Sequence, residues 1–242
     1  MKLYVVGLGP GDQADMTVRA LGALAESELI VGYEGYIRLI QDRFPGKQFL
    51  STPMRQEVDR CRTALQEAAS GKTVSMVCSG DAGIYGMAGL LYQLAEEYPP
   101  VWIQVIPGIT AACSGAALLG APLANDFVTI SLSDLLTPWE TIERRLRAAA
   151  AGDFCLAIYN PASHGRPDTL QRACDILLET YSPKTPAGVV QNVGRDGEGY
   201  LVMTLEELRE FPADMLTTAF VGNSTTQIIA GRMVTPRGYQ RA

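Results

Sequence analysis

A repeated order of elements constrains the fold of this chain most strongly. Short apolar runs end at glycine-bearing turns, and each turn leads toward a segment whose apolar residues recur at helical spacing. The clearest runs in the first half cover residues 3–6, 29–31, 74–78 and 102–106, and the helical segments cover 17–26, 56–70 and 110–119. Strand, turn and helix in this order are typical of parallel βαβ units. The sequence therefore predicts an α/β fold with mainly parallel sheets.

Gly120, Ala121 and Pro122 separate these elements from a second set. That set contains predicted strands at 127–131, 154–159, 187–193 and 217–221, with helices at about 140–150, 169–180 and 205–209. No low-complexity tract or flexible linker lies between the two sets. We predict two α/β domains, 1–120 and 121–242, with ligands bound at the carboxyl ends of the strands.

Composition argues against several classes of protein. The formal charge is −6 and no block of lysine or arginine occurs, so the basic footprint that nucleic acid requires is missing. No apolar run reaches the roughly 18 residues of a membrane span. The five cysteines contain no CxxC pair, which disfavours a zinc site and fits reduced thiols in the cytoplasm. His164 is the only histidine, so neither a Ser-His-Asp triad nor a multi-histidine metal site is indicated.

The loop Gly7-Leu8-Gly9-Pro10-Gly11-Asp12 follows the first strand. A dinucleotide-binding GxGxxG motif that begins at Gly7 requires glycine at position 12, where this chain has Asp12. Pro10 also has no N–H to offer a phosphate, and Asp12 would repel one. Two interpretations stay open: a purely structural turn, or a turn that lets a ligand approach the backbone.

Two further loops of the first half follow predicted strands. Residues 79–86 hold three glycines, which suggests backbone pressed against a flat or bulky group. Asp81 either accepts hydrogen bonds from a ligand or caps the next helix. Thr110 follows Pro107 and Gly108, where it either caps a helix or faces a ligand.

Polar residues also stand at strand ends in the second half. Tyr159 and Asn160 end one strand, and Asn192 ends another. The side-chain amides of the two asparagines either bind a ligand or form the turn that follows the strand. Ser131, Ser133 and Asp134 follow a third strand. The basic candidates for an anionic substrate are Arg55, Arg60, Arg166 and Arg195, of which Arg55 and Arg195 are favoured by their neighbours.

Taken together, the motifs VVGLGPGD, SGDAGIYGMAG, IPGITAA, GAPLANDF, YNPAS, NVGR and VGNST resemble the tetrapyrrole methylase family, the class III S-adenosylmethionine-dependent methyltransferases. The resemblance covers essentially the whole chain, and the order and spacing of the motifs make it specific. Within the family, TPMRQEVDRC, ISLSDLLTPWE and MVTPRGY resemble the enzymes that methylate carbon 17 of cobalt-factor III or precorrin-3B and contract the ring in cobalamin biosynthesis.

The resemblance implies two αβα domains with the cofactor in a cleft between them, and a homodimer. No metal site is expected, because the scattered cysteines and the single histidine offer no ligand cluster. The resemblance also implies S-adenosylmethionine as cofactor, with S-adenosylhomocysteine as product, held by Gly80, Asp81, Ala82, Ile84, Thr110, Ala111, Tyr159, Asn160 and Asn192. It places Gly9, Asp12, Arg55 and Ser133 on the tetrapyrrole side, with Ser131 and Asp134 as catalytic candidates. Relatives usually have histidine where this chain has Asn125, so proton transfer is assigned elsewhere.

Three alternatives remain at this point. A sibling methylase would act on another ring carbon, and a non-catalytic protein would carry the tetrapyrrole or S-adenosylmethionine. A nicotinamide dehydrogenase is disfavoured by Asp12. The cobalt-containing substrate is favoured over precorrin-3B by resemblance alone.

Overall fold

Five strands form the sheet of the first unit, Met1–Thr110, in a computed structural model that describes residues 1–239. Its elements are β1 (Lys2–Gly7), α1 (Val18–Glu26), β2 (Leu29–Tyr33), α2 (Glu34–Ile40), β3 (Gln48–Thr52), α3 (Glu57–Ala69), β4 (Thr73–Cys78), α4 (Ala88–Ala95) and β5 (Trp102–Ile106). The strand order is β3-β2-β4-β1-β5, and every pairing is parallel. The α/β prediction is confirmed.

Alternation along β1 shows why this sheet has a helical layer on each face. Leu3 and Val5 pack with residues of α3 and α4, whereas Tyr4 and Val6 pack with residues of α1 and α2. Successive side chains of a strand point to opposite faces, so a parallel sheet buried on both sides needs apolar residues at every position. The apolar run at 3–6 meets that requirement.

The second unit begins at Ala111 and is built on another five-stranded sheet. Its elements are α5 (Ala111–Leu119), β6 (Gly120–Ala121), β7 (Phe127–Ser131), α6 (Trp139–Ala151), β8 (Cys155–Tyr159), α7 (Thr169–Leu178), β9 (Pro186–Gln191), β10 (Gly199–Thr204), α8 (Leu205–Arg209), β11 (Thr217–Val221), β12 (Gln227–Ile229) and β13 (Arg232–Val234). The main sheet has the order β10-β9-β11-β8-β7, and β12, β13 and β6 form a smaller one.

The second sheet corrects the expectation of mainly parallel strands. Only β7 and β8 pair in parallel, while β11 runs antiparallel to both β8 and β9, and β10 runs antiparallel to β9. No helix separates β9 from β10, because Asn192 and the glycines that follow it return the chain directly as a hairpin. Strands β7, β8 and β9 nevertheless point the same way, so their carboxyl ends lie on one edge.

Helix α5 lies on the second-unit side of the division, which falls after Thr110. The predicted domains, 1–120 and 121–242, stay a prediction. The small residues of α5 explain the packing: a Cβ on Gly115 would stand 2.7 Å from Val190 and 2.9 Å from Phe220. Residues 240–242 of the predicted second domain lie outside the described residues. No helix within residues 1–239 combines the length and the apolar character needed to cross a membrane.

Candidate active site

Three glycine-bearing loops meet at the carboxyl edge of the first sheet. They follow β4, β1 and β5, which are neighbours in the strand order. Gly9 donates its N–H to the carbonyl of Gly80 at 3.0 Å, and Gly80 donates to the carbonyl of Gly9 at 2.7 Å. The first two loops are therefore bonded to each other directly.

These bonds decide against a phosphate site in the first loop. Leu8 donates its N–H to the Cys78 carbonyl, and the Ala14 N–H is taken by the carboxylate of Asp12 at 2.7 Å. With Gly9 bonded to Gly80 and Pro10 lacking an N–H, the amides that would cradle a pyrophosphate already have acceptors. The first loop therefore lacks the set of free amides that a pyrophosphate site requires.

Close backbone packing explains the glycines at this edge. A Cβ on Gly108 would lie 2.2 Å from the Gly80 carbonyl oxygen, and one on Gly7 would lie 2.6 Å from the Gly108 nitrogen. A Cβ on Gly86 would lie 2.3 Å from the Ala82 carbonyl oxygen. Gly7 and Gly108 therefore let the backbones of neighbouring elements approach closely, and Gly86 packs within its own loop. That the backbone of residues 79–86 also packs against a ligand stays a prediction.

Asp81 ties the loop after β4 to the loop after β5. Its Oδ1 accepts the N–H groups of Gly83 at 2.7 Å and Ile84 at 3.0 Å, and its Oδ2 accepts the N–H of Gly108 at 3.0 Å. The helix that follows begins only at Ala88, so Asp81 is not its N-cap. The carboxylate is engaged by backbone donors and acts here as a brace for both loops.

The exposed part of the loop after β4 is short. Ala82 is fully buried, whereas Ile84 and Tyr85 are 41% and 49% exposed. Tyr85 has a positive φ of 54°, a conformation that non-glycine residues rarely adopt and that concentrates at functional sites. Tyr85 was not among the residues predicted from the sequence to form the site, although it lies between Ile84 and Gly86 of the same loop. Thr110, at the end of the loop after β5, is buried.

In the second unit, the ends of β7 and β8 bring polar side chains together. Ser131 Oγ accepts a hydrogen bond from Asn160 Nδ2 at 2.8 Å and one from the Ser133 N–H at 3.3 Å. Since the oxygen accepts two N–H groups, the hydroxyl proton of Ser131 remains the group to donate onward. The predicted residues Ser131, Ser133 and Asn160 thus form one cluster.

Asn160 and Asn192 occupy equivalent backbone positions after β8 and β9. Both have positive φ, at 51° and 52°, a region that asparagine tolerates better than most residues. Asn192 Nδ2 donates to the Gly197 carbonyl at 3.3 Å. Turn formation therefore accounts for the residue type, and the Asn160 side chain at the same time faces the serine cluster.

Asp134 lies beside Arg166, with Arg166 Nε 3.4 Å from Asp134 Oδ1. Arg166 also donates from Nη1 to the Leu132 carbonyl at 3.1 Å. It therefore contacts the loop after β7 at two residues, Leu132 and Asp134. Arg166 was one of the four arginines that the sequence offered as partners for an anionic substrate.

At the start of α5, the Ala112 N–H donates to the Tyr159 hydroxyl at 2.7 Å, which places the predicted residue Tyr159 against the helix N-terminus next to Ala111.

The remaining predicted residues have varied surroundings. Asp12 caps the short 3-10 helix Gln13–Asp15, and Arg55 is exposed with a φ of 67°. Asn125 accepts the N–H of Asp126 through its own side chain at 3.0 Å. Arg60, which the sequence ranked below Arg55, is buried.

Solved structures share this fold. The crystal structure of the methyltransferase CobJ superposes with a TM-score of 0.89 at 39% identity, covering 97% of this chain and 99% of that one. A uroporphyrin-III C-methyltransferase from Thermus thermophilus, solved with S-adenosylhomocysteine, has a TM-score of 0.69 at 22% identity, covering 92% of this chain and 97% of that one. The fold is that of an α/β methyltransferase.

The chain belongs to the tetrapyrrole (corrin/porphyrin) methylase family, whose model matches residues 2–209. It is 47% identical to a probable cobalt-factor III C(17)-methyltransferase of Salmonella typhimurium, over 98% of this chain and 99% of that protein. It is 48% identical to a cobalt-factor III methyltransferase of Priestia megaterium, of which it spans 45%. A precorrin-3B C(17)-methyltransferase of a Sinorhizobium species is 38% identical over 99% of this chain and 98% of that protein.

Proposed function

We propose that this protein transfers a methyl group from S-adenosylmethionine to carbon 17 of cobalt-factor III, with ring contraction, in cobalamin biosynthesis. One observation carries the proposal: 47% identity to a probable cobalt-factor III C(17)-methyltransferase along nearly the full length of both chains. In this proposal the protein is a homodimer, as the sequence resemblance implies, and it lies in the cytoplasm, which fits the unpaired cysteines.

The loops fit a methyl donor that carries no phosphate. S-adenosylmethionine supplies an electrophilic methyl group on a sulfonium, and an in-line displacement needs no covalent protein nucleophile. In the proposal, the donor contacts Gly80, Asp81, Ile84 and Thr110 of the first unit, with the buried Ala82 supporting that loop from beneath, and Ala111, Tyr159, Asn160 and Asn192 of the second. The family match and a structural neighbour solved with S-adenosylhomocysteine support the choice of methyl donor.

The residues of the protein contribute by positioning. Asp81 fixes two loops through three backbone N–H groups, so its charge is already balanced by local donors. That arrangement suits the reaction, because the sulfonium charge disappears during transfer and strong stabilisation of it would oppose catalysis. Holding the methyl carbon in line with the ring carbon supplies much of the rate.

Ring contraction requires proton transfer, and Asn125 cannot take the role of a histidine. We propose Asp134 as the proton-transferring group and Ser131 as a hydrogen-bond donor to the substrate. Arg166 keeps the Asp134 carboxylate in place, and Asn160 and Ser133 orient Ser131. Gly9, Asp12, Arg55 and Ser133 are proposed to face the tetrapyrrole.

Two parallel incubations test the proposal. The protein is mixed with S-adenosylmethionine labelled with carbon-13 in the methyl group and, separately, with cobalt-factor III and precorrin-3B. We expect one label per macrocycle with the NMR shift of a methyl on carbon 17 of a contracted ring. Label at another ring carbon would indicate a sibling methylase, and binding without transfer would indicate a carrier.

A further inference from the structure

A cavity with a volume of about 120 Å³ lies in the first unit beside the carboxyl ends of β2 and β4. Its walls include Tyr33 and Tyr36, which pack edge to face with ring centroids 5.2 Å apart, together with Met54, Tyr85 and Arg60. The space exceeds what a single water molecule needs. It is too small for a macrocycle, but it accommodates one side chain of a ligand.

Arg60 gives this cavity its chemical character. The residue is 4% exposed, and its guanidinium donates from Nε to Thr52 Oγ1 at 2.7 Å and from Nη2 to the Pro53 carbonyl at 2.9 Å. Both acceptors are neutral. Within residues 1–239, no carboxylate lies within ion-pair distance of Arg60. A buried cation without a counter-ion is unfavourable, so this guanidinium is prepared to pair with an anion that enters from outside.

Glu57 also lines the cavity and carries a negative charge, which would repel an anionic group. Its Oε1 accepts the backbone N–H of Arg55 at 3.3 Å, which directs the carboxylate toward the loop before α3. Glu57 is also the first residue of α3, where an acidic side chain is stabilised by the helix dipole. The Glu57 carboxylate is thus stabilised by the Arg55 N–H and the start of α3, and not by an ion pair with Arg60.

We propose that this cavity binds one carboxylate-bearing side chain of the tetrapyrrole, with Arg60 as its counter-ion. The inference rests on the proposed function and adds a specificity residue to it. A guanidinium presents paired N–H donors that match a carboxylate, which a lysine cannot do. Tyr33 and Tyr36 form an aromatic wall for the methylene groups of the same side chain.

The test is a binding titration of cobalt-factor III, followed by absorbance, with S-adenosylhomocysteine present to prevent turnover. Wild type is compared with Arg60→Met, Arg60→Lys and the control Arg62→Met. The control removes the same charge from an exposed position of the same helix, where Arg62 pairs with Glu97. We expect Arg60→Met to raise the Kd and KM for cobalt-factor III by about 10- to 100-fold, with kcat changed far less. Arg60→Lys should give Kd and KM values between those of wild type and Arg60→Met, and Arg62→Met should give wild-type values.

Glu57→Gln provides an independent arm that leaves Arg60 and its two acceptors in place. Removing a negative charge from the wall should lower Kd for an anionic group, and we expect a decrease of about twofold or more. An increase in Kd would mean that the cavity takes a cationic group, which overturns the inference. If Arg60→Met lowers the melting temperature or the affinity for S-adenosylmethionine, its Kd for the tetrapyrrole no longer reports on the cavity alone. The direction of the Kd change in Glu57→Gln then tests the carboxylate subsite.

The same measurements distinguish a wrong carboxylate subsite from a wrong proposed function. If wild type methylates the tetrapyrrole but Arg60→Met keeps wild-type Kd and KM, the carboxylate subsite is wrong and the proposed function stands. If wild type neither binds nor methylates a tetrapyrrole, the proposed function fails and the subsite fails with it.

Discussion

Ser131, Asp134 and Asn160 lie at or just after the ends of β7 and β8, where contacts within the protein fix their side chains. Asn160 adopts a left-handed backbone conformation that ends β8, and its side chain donates to Ser131. Asp134 is held by Arg166, which also bonds to the Leu132 carbonyl. The chain therefore fixes its polar residues by contacts that do not involve any ligand.

Asp134→Asn should lower kcat for ring contraction by about 10²- to 10⁴-fold, the usual contribution of an acid–base group, while KM changes little. Asparagine keeps the size and hydrogen bonding of the side chain but cannot transfer a proton. Steady-state kinetics with cobalt-factor III measure the effect, and Asp196→Asn, an exposed aspartate of the same unit, is the control. Wild-type kcat in Asp134→Asn would move the proton-transfer role to another group.

Cysteine reactivity offers a residue-scale prediction from burial. Burial raises the pKa of Cys61 to about 12, that of Cys78 to about 11 and that of Cys174 to about 12, whereas Cys113 is exposed. Only the thiolate attacks a disulfide reagent, so the raised pKa values keep the buried thiols protonated and inert at pH 8.

With a chromogenic disulfide reagent at pH 8, we expect one thiol per chain to react rapidly in the native protein and all five to react in denaturant. The rapid phase should disappear in Cys113→Ser. Two or more rapid thiols in native wild type would contradict the burial of the others.

At the scale of elements, the loops at the edge of the first sheet hold one another. Gly7 ends β1, and Gly80 and Gly108 belong to the loops after β4 and β5; their backbones are so close that no Cβ fits on Gly7 or Gly108. Asp81 adds a hydrogen bond from the loop after β4 to the loop after β5. These contacts join the loops at this edge into one hydrogen-bonded unit.

Gly108→Ala should destabilise the protein by about 2–3 kcal/mol, because a Cβ 2.2 Å from the Gly80 carbonyl oxygen forces the loops apart. The control is Gly89→Ala, in α4, where a Cβ meets no atom within 4 Å. There alanine should stabilise by about 0.5–1 kcal/mol, since glycine is unfavourable in a helix. Urea unfolding measures both, and equal effects of the two substitutions would contradict the packing described.

Some elements could not be predicted, for identifiable reasons. Helix α2 (Glu34–Ile40) is seven residues long and follows β2 without a side-chain cap, so it has no start signal. Strand β3 stands at a sheet edge, where the polar exposed positions Gln48 and Ser51 leave only two apolar residues between them. Strand β10 is also an edge strand, and its apolar residues Tyr200 and Leu201 are exposed. Longer amphipathic segments such as α3 were predicted within a residue at each end, because their periodicity is sustained.

At the scale of the whole molecule, the family is defined by motifs spread over residues 2–209 and by a fold shared with solved methyltransferases. Identity is 47% to a probable cobalt-factor III enzyme and 38% to a precorrin-3B enzyme. We therefore expect kcat/KM for cobalt-factor III to exceed that for precorrin-3B by at least about tenfold, which corresponds to about 1.4 kcal/mol in transition-state binding. Parallel assays under anaerobic conditions measure the ratio, and a ratio below one would assign the protein to the cobalt-free substrate.

The sequence by itself determined the α/β class, most of the strands, the family and the absence of a dinucleotide motif. Apolar periodicity, glycine turns and motif order are local properties, and each can be recognised without knowing what lies nearby in space. Only the tertiary structure decided that Gly9 and Gly80 bond to each other, that Asp81 braces two loops, and that the second sheet is largely antiparallel.

The burial of Arg60 was likewise decided by tertiary structure. Arg55 and Arg60 look alike in sequence, but Arg60 stands on the face of α3 that carries the buried residues Cys61, Ala64 and Leu65 toward the sheet. The distinction between a solvated arginine and a buried one depends on strand order and helix rotation, which bring distant residues together. Those long-range contacts are what a single sequence leaves unspecified.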